Sequence, residues 1–179
     1  MKLLLIQSIL ILFFGLSYSP AKTDRALETV PSVDLQKYMG KWYEIAAFPQ
    51  RFEKGCHCTT AEYEITDKGY VRVTNSCRLD SPQGKVKVAR GKAFIVKDSN
   101  NAKLRVQFFW PFRGNYWIID LAVDYSYAVV GDPSRKYLWI LSRTPKMDEA
   151  LYQDVVKRAA QKGFDTNKLQ RTDQSCAER

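Results

Sequence analysis

The sequence predicts an all-β protein: an eight-stranded antiparallel up-and-down β-barrel, or calyx, with one C-terminal α-helix packed outside. Three observations carry this. Eight short segments of strand character follow one another, joined by tight turns. The hydrophobic period then changes once, near the end, from two residues to about 3.6. The length, 179 residues, is that of one domain with enough apolar content for a real core. Closing eight strands on themselves removes the exposed edges, and a barrel of that size is just wide enough to hold one small ligand.

The N-terminus is read apart from the fold. Lys2 precedes an apolar run from Leu3 to Leu16, and small residues follow at Ser19 and Ala21. The run is short for a membrane span and has the layout of an export signal. Residues 1–21 are therefore expected to be a signal peptide and 22–179 the folded domain. The destination is periplasmic or secreted. No cysteine lies near the cleavage site, so any association with the outer membrane would be made without a lipid anchor. Cys56, Cys58, Cys77 and Cys176 are an even number in an oxidising compartment, which makes disulfides the default.

The first strand is "KWYEIAAF" (41–48), part-alternating and aromatic-rich. "TTAEYEI" (59–65) is the second, and Asp67, Lys68 and Gly69 turn the chain into "YVRVTNSC" (70–77). After Ser81–Gly84 comes "KVKVARGKAFIVK" (85–97), where Gly91 suggests a bulge or bend. "KLRVQFF" (103–109), "YWIIDLAVD" (116–124), "YAVVGD" (127–132) and "YLWILSR" (137–143) complete the eight. From Met147 to Lys162, Leu151, Val155 and Ala159 recur at steps of four, with Val156 widening the face; Asp148, Glu149, Gln153 and Lys157 lie off it. That is an amphipathic helix, acidic at its start and stopped by Gly163.

Alternation sorts side chains into faces. Ala61, Tyr63 and Ile65 should point inward, as should Leu104, Val106 and Phe108. The strand at 116–124 is apolar on both faces, which fits a lumen on one side and the helix or a partner on the other.

The charge, +9, is spread along the chain without a basic block or a nucleic-acid module, so no nucleic-acid partner is expected. Peripheral contact with an anionic membrane is the more modest implication. The single histidine, His57, limits acid–base chemistry, and no nucleophile elbow or phosphate loop is present. In "CHC" (56–58) an extended backbone would aim His57 away from the two sulfurs, so no metal and no cofactor is expected. The remaining feature is aromatic. Tyr63, Phe94, Phe108, Phe109, Trp110, Phe112, Tyr116, Trp117 and Trp139 lie on strands and on the loop "FFWPFRG" (108–114). They read as a lumen for a greasy ligand with an aromatic rim, Arg113 being available for an anionic head. The candidate ligand-binding set is Tyr63, Phe94, Phe108, Trp110, Phe112, Arg113, Tyr116 and Trp139.

"GKWYEIAAFPQRFEKG", "VDYSYAVV" and "YLWILSRTP" resemble, in order and spacing, the three signatures of the lipocalin family. The resemblance runs from about Val33 to Cys176 and extends to bacterial outer-membrane-type lipocalins and the apolipoprotein D-like subgroup. It implies a non-enzymatic carrier of fatty acids, lysophospholipids or similar molecules, working in lipid storage or scavenging at the cell envelope, as a monomer or a homodimer. It assigns structural roles to Gly40, Trp42, Asp124, Tyr125 and Arg143, with Arg143 lying across the Trp42 indole. It also implies a Cys58–Cys176 bridge, leaving Cys56 for Cys77; the swapped pairing stays open at this level. Two other readings stand beside the carrier: a lipocalin-fold enzyme using a cysteine or Glu44 and Tyr63, and an interaction module without a small ligand.

Overall fold

The computed structural model describes residues 26–178, so the expected signal peptide lies outside the described residues. A capped turn, α1 (Leu35–Tyr38), leads into β1 (Gly40–Ala47). The meander continues as β2 (Cys56–Ile65), β3 (Val71–Leu79), β4 (Val86–Ile95), β5 (Lys103–Gln107), β6 (Gly114–Leu121), β7 (Tyr127–Gly131) and β8 (Leu138–Ser142). Each strand pairs antiparallel with the next, and β1 pairs with both β2 and β8, closing the barrel. Helix α2 (Glu149–Gln161) follows, and then β9 (Gln170–Arg171), a short strand added beside β1.

The packing forms two layers. Inside the barrel, Trp42, Tyr63, Val71, Val73, Ala93, Leu104, Ile118, Val130 and Leu141 pack together. Outside, Ile45, Phe48, Ile119, Val129, Leu138 and Ile140 meet Tyr152, Val155 and Ala159 of α2. The two apolar faces of β6 are thereby resolved: Tyr116 and Ile118 turn to the lumen, Trp117 and Ile119 to the helix side. Asp148 caps α2 by accepting from the Leu151 N–H at 3.0 Å.

Two strand-level expectations are corrected. Gly91 makes no bulge; the β3–β4 register runs through it without a shift. Its missing side chain serves close approach instead, since a Cβ there would lie 2.8 Å from the Gln107 carbonyl and 2.9 Å from the Phe108 ring. Ile65 is 39 % exposed, because it sits at the strand's end, beyond the packed layer.

Candidate ligand-binding site

One end of the barrel is closed. Gly40 takes a φ of 88°, which an L side chain resists, and so turns the chain from α1 into β1. Fully buried Trp42 follows, its Nε1 donating to the Tyr38 carbonyl at 2.8 Å. The Arg143 guanidinium covers the indole at 3.7 Å from the ring centroid. It also donates to the carbonyls of Lys37 (2.6 Å), Lys41 (2.9 Å) and Tyr125 (3.4 Å). Asp124 holds the β6–β7 turn by accepting from the Ser126 N–H at 3.0 Å, and the Tyr125 hydroxyl accepts from the Asp34 N–H at 2.8 Å.

Above this floor the hydroxyls of Tyr38, Tyr116 and Tyr63 form a chain, at 2.8 Å and 2.9 Å. Burial raises the pKa of all three, Tyr63 to about 12. Tyr63 and Tyr116 therefore satisfy one another and fill the lower lumen.

The upper lumen is more polar. Glu44 shares the inward face of β1 with Trp42 and is buried, accepting from the Thr172 hydroxyl at 2.6 Å. Burial first, and then the nearby Glu53 carboxylate, push its pKa up to about 8. Glu53, from the β1–β2 connection, is also raised by burial, and it accepts from Trp139 Nε1 at 3.4 Å. Lys87 Nζ donates to the Phe52 carbonyl at 2.8 Å and eases the Glu53 charge. Both glutamates line a cavity of about 530 Å³, together with Gln50, Arg51, His57 and Thr172.

The wall here is completed by the C-terminal tail. β1 pairs with β2 only from Gly40 to Tyr43. Beyond that point Thr172 N–H donates to the Ile45 carbonyl at 3.0 Å and Cys58 N–H to the Asp173 carbonyl at 2.7 Å. Gln174 Nε2 donates to both the Glu44 and Thr59 carbonyls, each at 2.8 Å. Cys58 is bonded to Cys176 and Cys56 to Cys77. His57 Nδ1 lies 3.2 Å from the Asp173 carboxylate. Among the described residues no three His, Cys, Asp or Glu side chains gather as a metal site, and no cysteine is free.

At the mouth, Phe109, Trp110 and Phe112 are 79, 86 and 77 % exposed. The aromatic loop is thus a rim, not a plug. Phe108 and Trp139 are half-buried and pack against the barrel interior. Two members of the expected ligand set sit elsewhere. Ala93 occupies the inward position of β4, so its neighbour Phe94 faces outward, against Tyr70. Arg113 stacks on that outer-face ring at 4.2 Å, away from the lumen.

Residues 33–174 match the lipocalin-like domain family. The chain belongs to the lipocalin family. Among its lipocalin relatives, "Outer membrane lipoprotein Blc" of Vibrio cholerae is 39 % identical over 145 residues, covering 80 % of this chain and 84 % of that one. "Temperature-induced lipocalin-1" of Arabidopsis thaliana is 38 % identical over 159 residues, covering 84 % of each chain. Apolipoprotein D of Mus musculus is 36 % identical over 152 residues, covering 79 % and 77 %. The fold also superposes on insecticyanin from the tobacco hornworm Manduca sexta, with a TM-score of 0.67 at 23 % identity, over 83 % and 85 % of the two chains. Lipocalins as a family bind small hydrophobic ligands.

The sequence reading of this lipocalin passed over Glu53, Gln50, Thr59, Asn75 and the tail at 170–174 as parts of the lumen. Two signals were available. Glu44 lies two positions after Trp42 and so shares its face. The polar tail before Cys176 must run wherever its cysteine is anchored.

Proposed function

We propose that this lipocalin is a non-enzymatic carrier that takes one single-chain lipid, of the fatty acid or lysophospholipid type, into the upper half of its barrel. The observation that carries this reading is the exposed aromatic rim over a barrel interior against which Phe108 and Trp139 pack; beside it the end of β1, the β1–β2 connection and the C-terminal tail line a cavity of about 530 Å³. That size falls in the range of about 300–1,000 Å³ usual for small-ligand sites. Phe108 and Trp139 would grip the chain, and Trp110 and Phe112 would shield it at the mouth. The same rim carries Phe52 and Val86, both exposed, beside the exposed cations Arg51, Lys54, Lys85 and Lys87. Apolar side chains amid basic ones suit transient contact with an anionic membrane, from which a lipid could be drawn. Export to the cell envelope and a role in lipid storage or scavenging fit this picture.

Native mass spectrometry after incubation with a lipid extract tests the proposal. A retained mass of one single-chain lipid per protein is the expected result. No retained lipid, and no saturable binding of a fluorescent fatty acid, would rule the carrier out. The enzymatic reading finds little support: all four cysteines are bridged, and Tyr63, with its raised pKa, is a poor source of phenolate.

A further inference from the structure

The net charge is unevenly placed on the folded chain. Residues 70–119 contain ten Lys or Arg and two Asp or Glu, and so account for eight of the nine net positive charges. No two of the ten are adjacent in sequence, which is why no basic block is visible there. The barrel gathers them. Strands β3, β4 and β5 contain no aspartate or glutamate. Val71, Val73, Ala93 and Leu104 pack inside. Alternation therefore turns Arg72, Arg90, Lys92 and Arg105 outward, and all four are exposed.

The register sets these cations side by side. Arg72 stands opposite Lys92, and Arg105 opposite Phe94. The Arg113 guanidinium lies on the Phe94 ring at 4.2 Å, and Lys92 Nζ is 4.9 Å from the centre of the Tyr70 ring. A ring face holds a cation in place without neutralising it. Arg72 has a carboxylate partner, Glu64 at 2.6 Å, in a pair open to water. Among the described residues Arg90 and Arg105 have no hydrogen bond, ion pair or ring contact. Like charges directly opposite one another destabilise a sheet, so this face gains from an anionic surface laid against it.

Its surroundings narrow the choice of partner. Helix α2 covers the other side of the barrel, over Ile45, Ile119, Val129 and Ile140. Toward the open end, the outward row of β4 continues from Arg90 to Val88 and Val86, 43 and 59 % exposed, beside the aromatic rim. A dissolved polyanion would meet the cations and leave these apolar side chains in water. A lipid surface takes up both. We infer that the outer face of β3–β5 is a docking surface for an anionic membrane, which holds the barrel tilted, with wall and rim together on the lipid. This wall lies outside the lumen, so the inference goes beyond the carrier reading and stands or falls separately from it.

Sedimentation of the oxidised protein with vesicles tests the assignment. Vesicles of phosphatidylglycerol and phosphatidylcholine in equal parts should bind it, those of phosphatidylcholine alone should not, and added salt should weaken binding. Arg90→Gln and Arg105→Gln should each lower the partition coefficient about fivefold, and the pair about 25-fold. Lys157→Gln with Lys168→Gln removes the same charge on the α2 side and should change it by about twofold at most. Circular dichroism and binding of a fluorescent fatty acid should be unaltered in both pairs. Unchanged partition in the Arg90 and Arg105 pair would overturn the inference, and so would an equal loss in the lysine pair. Equal affinity for soluble polyphosphate at matched phosphate concentration would make the partner a dissolved polyanion and overturn it too. A wild-type protein that partitions as expected but binds no fatty acid would remove the carrier reading and leave this docking surface standing.

Discussion

The guanidinium of Arg143 lies 3.7 Å from the centroid of the Trp42 ring, bringing together side chains 101 positions apart at the closed end of the barrel. Three backbone carbonyls accept from the same guanidinium, so one residue ties α1, the start of β1 and the β6–β7 turn together. Arg143→Met keeps most of the stem's packing and removes the charge and the donors. It should lower unfolding stability by about 2–4 kcal/mol. Arg143→Lys should recover less than half of that, since an ammonium cannot reproduce the planar fork. Urea unfolding midpoints measure both.

Glu44 makes stability depend on pH in a direction opposite to that of most carboxylates. Its folded pKa is raised from 4.5 to about 8. Below about pH 4.5 it is protonated in both folded and unfolded chains and contributes no penalty. As pH rises from there, the unfolded chain ionises first, so stability falls until about pH 8. The steepest slope is about 1.4 kcal/mol per pH unit. Melting temperature should therefore drop between pH 5 and pH 8.5. Glu44→Gln should flatten much of that drop, the raised pKa of Glu53 leaving a remainder of the same sign. A melting temperature that rises over this interval would contradict the assignment.

The two disulfides should differ in weight. Cys58–Cys176 spans 118 positions and Cys56–Cys77 spans 21. In the chain-entropy account the longer loop contributes about 4–5 kcal/mol and the shorter about 3 kcal/mol. Paired Cys→Ser variants compared by urea unfolding should show that order. The longer bridge should show more than its entropy, because it also holds the tail whose Gln174 and Thr172 finish the wall.

The central hydroxyl of the tyrosine chain serves two others. Tyr116→Phe leaves the hydroxyls of Tyr38 and Tyr63 without the partner each now has. The loss should be about 1–3 kcal/mol, read from thermal unfolding. Tyr63→Phe removes an end of the chain instead of its middle and should cost less.

The rim gives a prediction about membranes. Trp110 should shift its emission to the blue on vesicles of phosphatidylglycerol and not on neutral vesicles at the same lipid concentration. Trp110→Ser with Phe112→Ser should lower the partition coefficient about tenfold, and added salt should lower it further. Unchanged partition in the double variant would place any membrane contact elsewhere.

The barrel was readable because its strands alternate and its turns carry Gly, Asp and Asn. The helix was readable because Val155 and Ala159 repeat at its period. What alternation could not resolve was a strand with apolar residues on both faces. Phe94 entered the ligand set as an aromatic on a strand, but the barrel takes Ala93 inside there, between Val71 and Val106 in the register. Glu44 was harder still. A glutamate in a strand reads as a solvent-facing residue, and only its parity with Trp42 says otherwise. Thr59, Asn75 and Gln50 carry no distinguishing pattern at all. Their buried polar atoms lack partners, and a missing partner is a property of three-dimensional packing.

The seam filled by residues 170–174 has a consequence for the order of assembly. β1 and β2 are early neighbours in the chain, yet over Glu44–Ala47 their contact is made by a segment that follows every other strand and the helix. A polypeptide exported N-terminus first presents all eight meander strands before Thr172 and Gln174 arrive to occupy that gap. Until then the acidic belt around Glu44 stays open to water from the side. The wall around Glu44 is therefore the last part of the barrel to close, and a chain cut short before residue 170 would keep its meander strands while leaving that wall open.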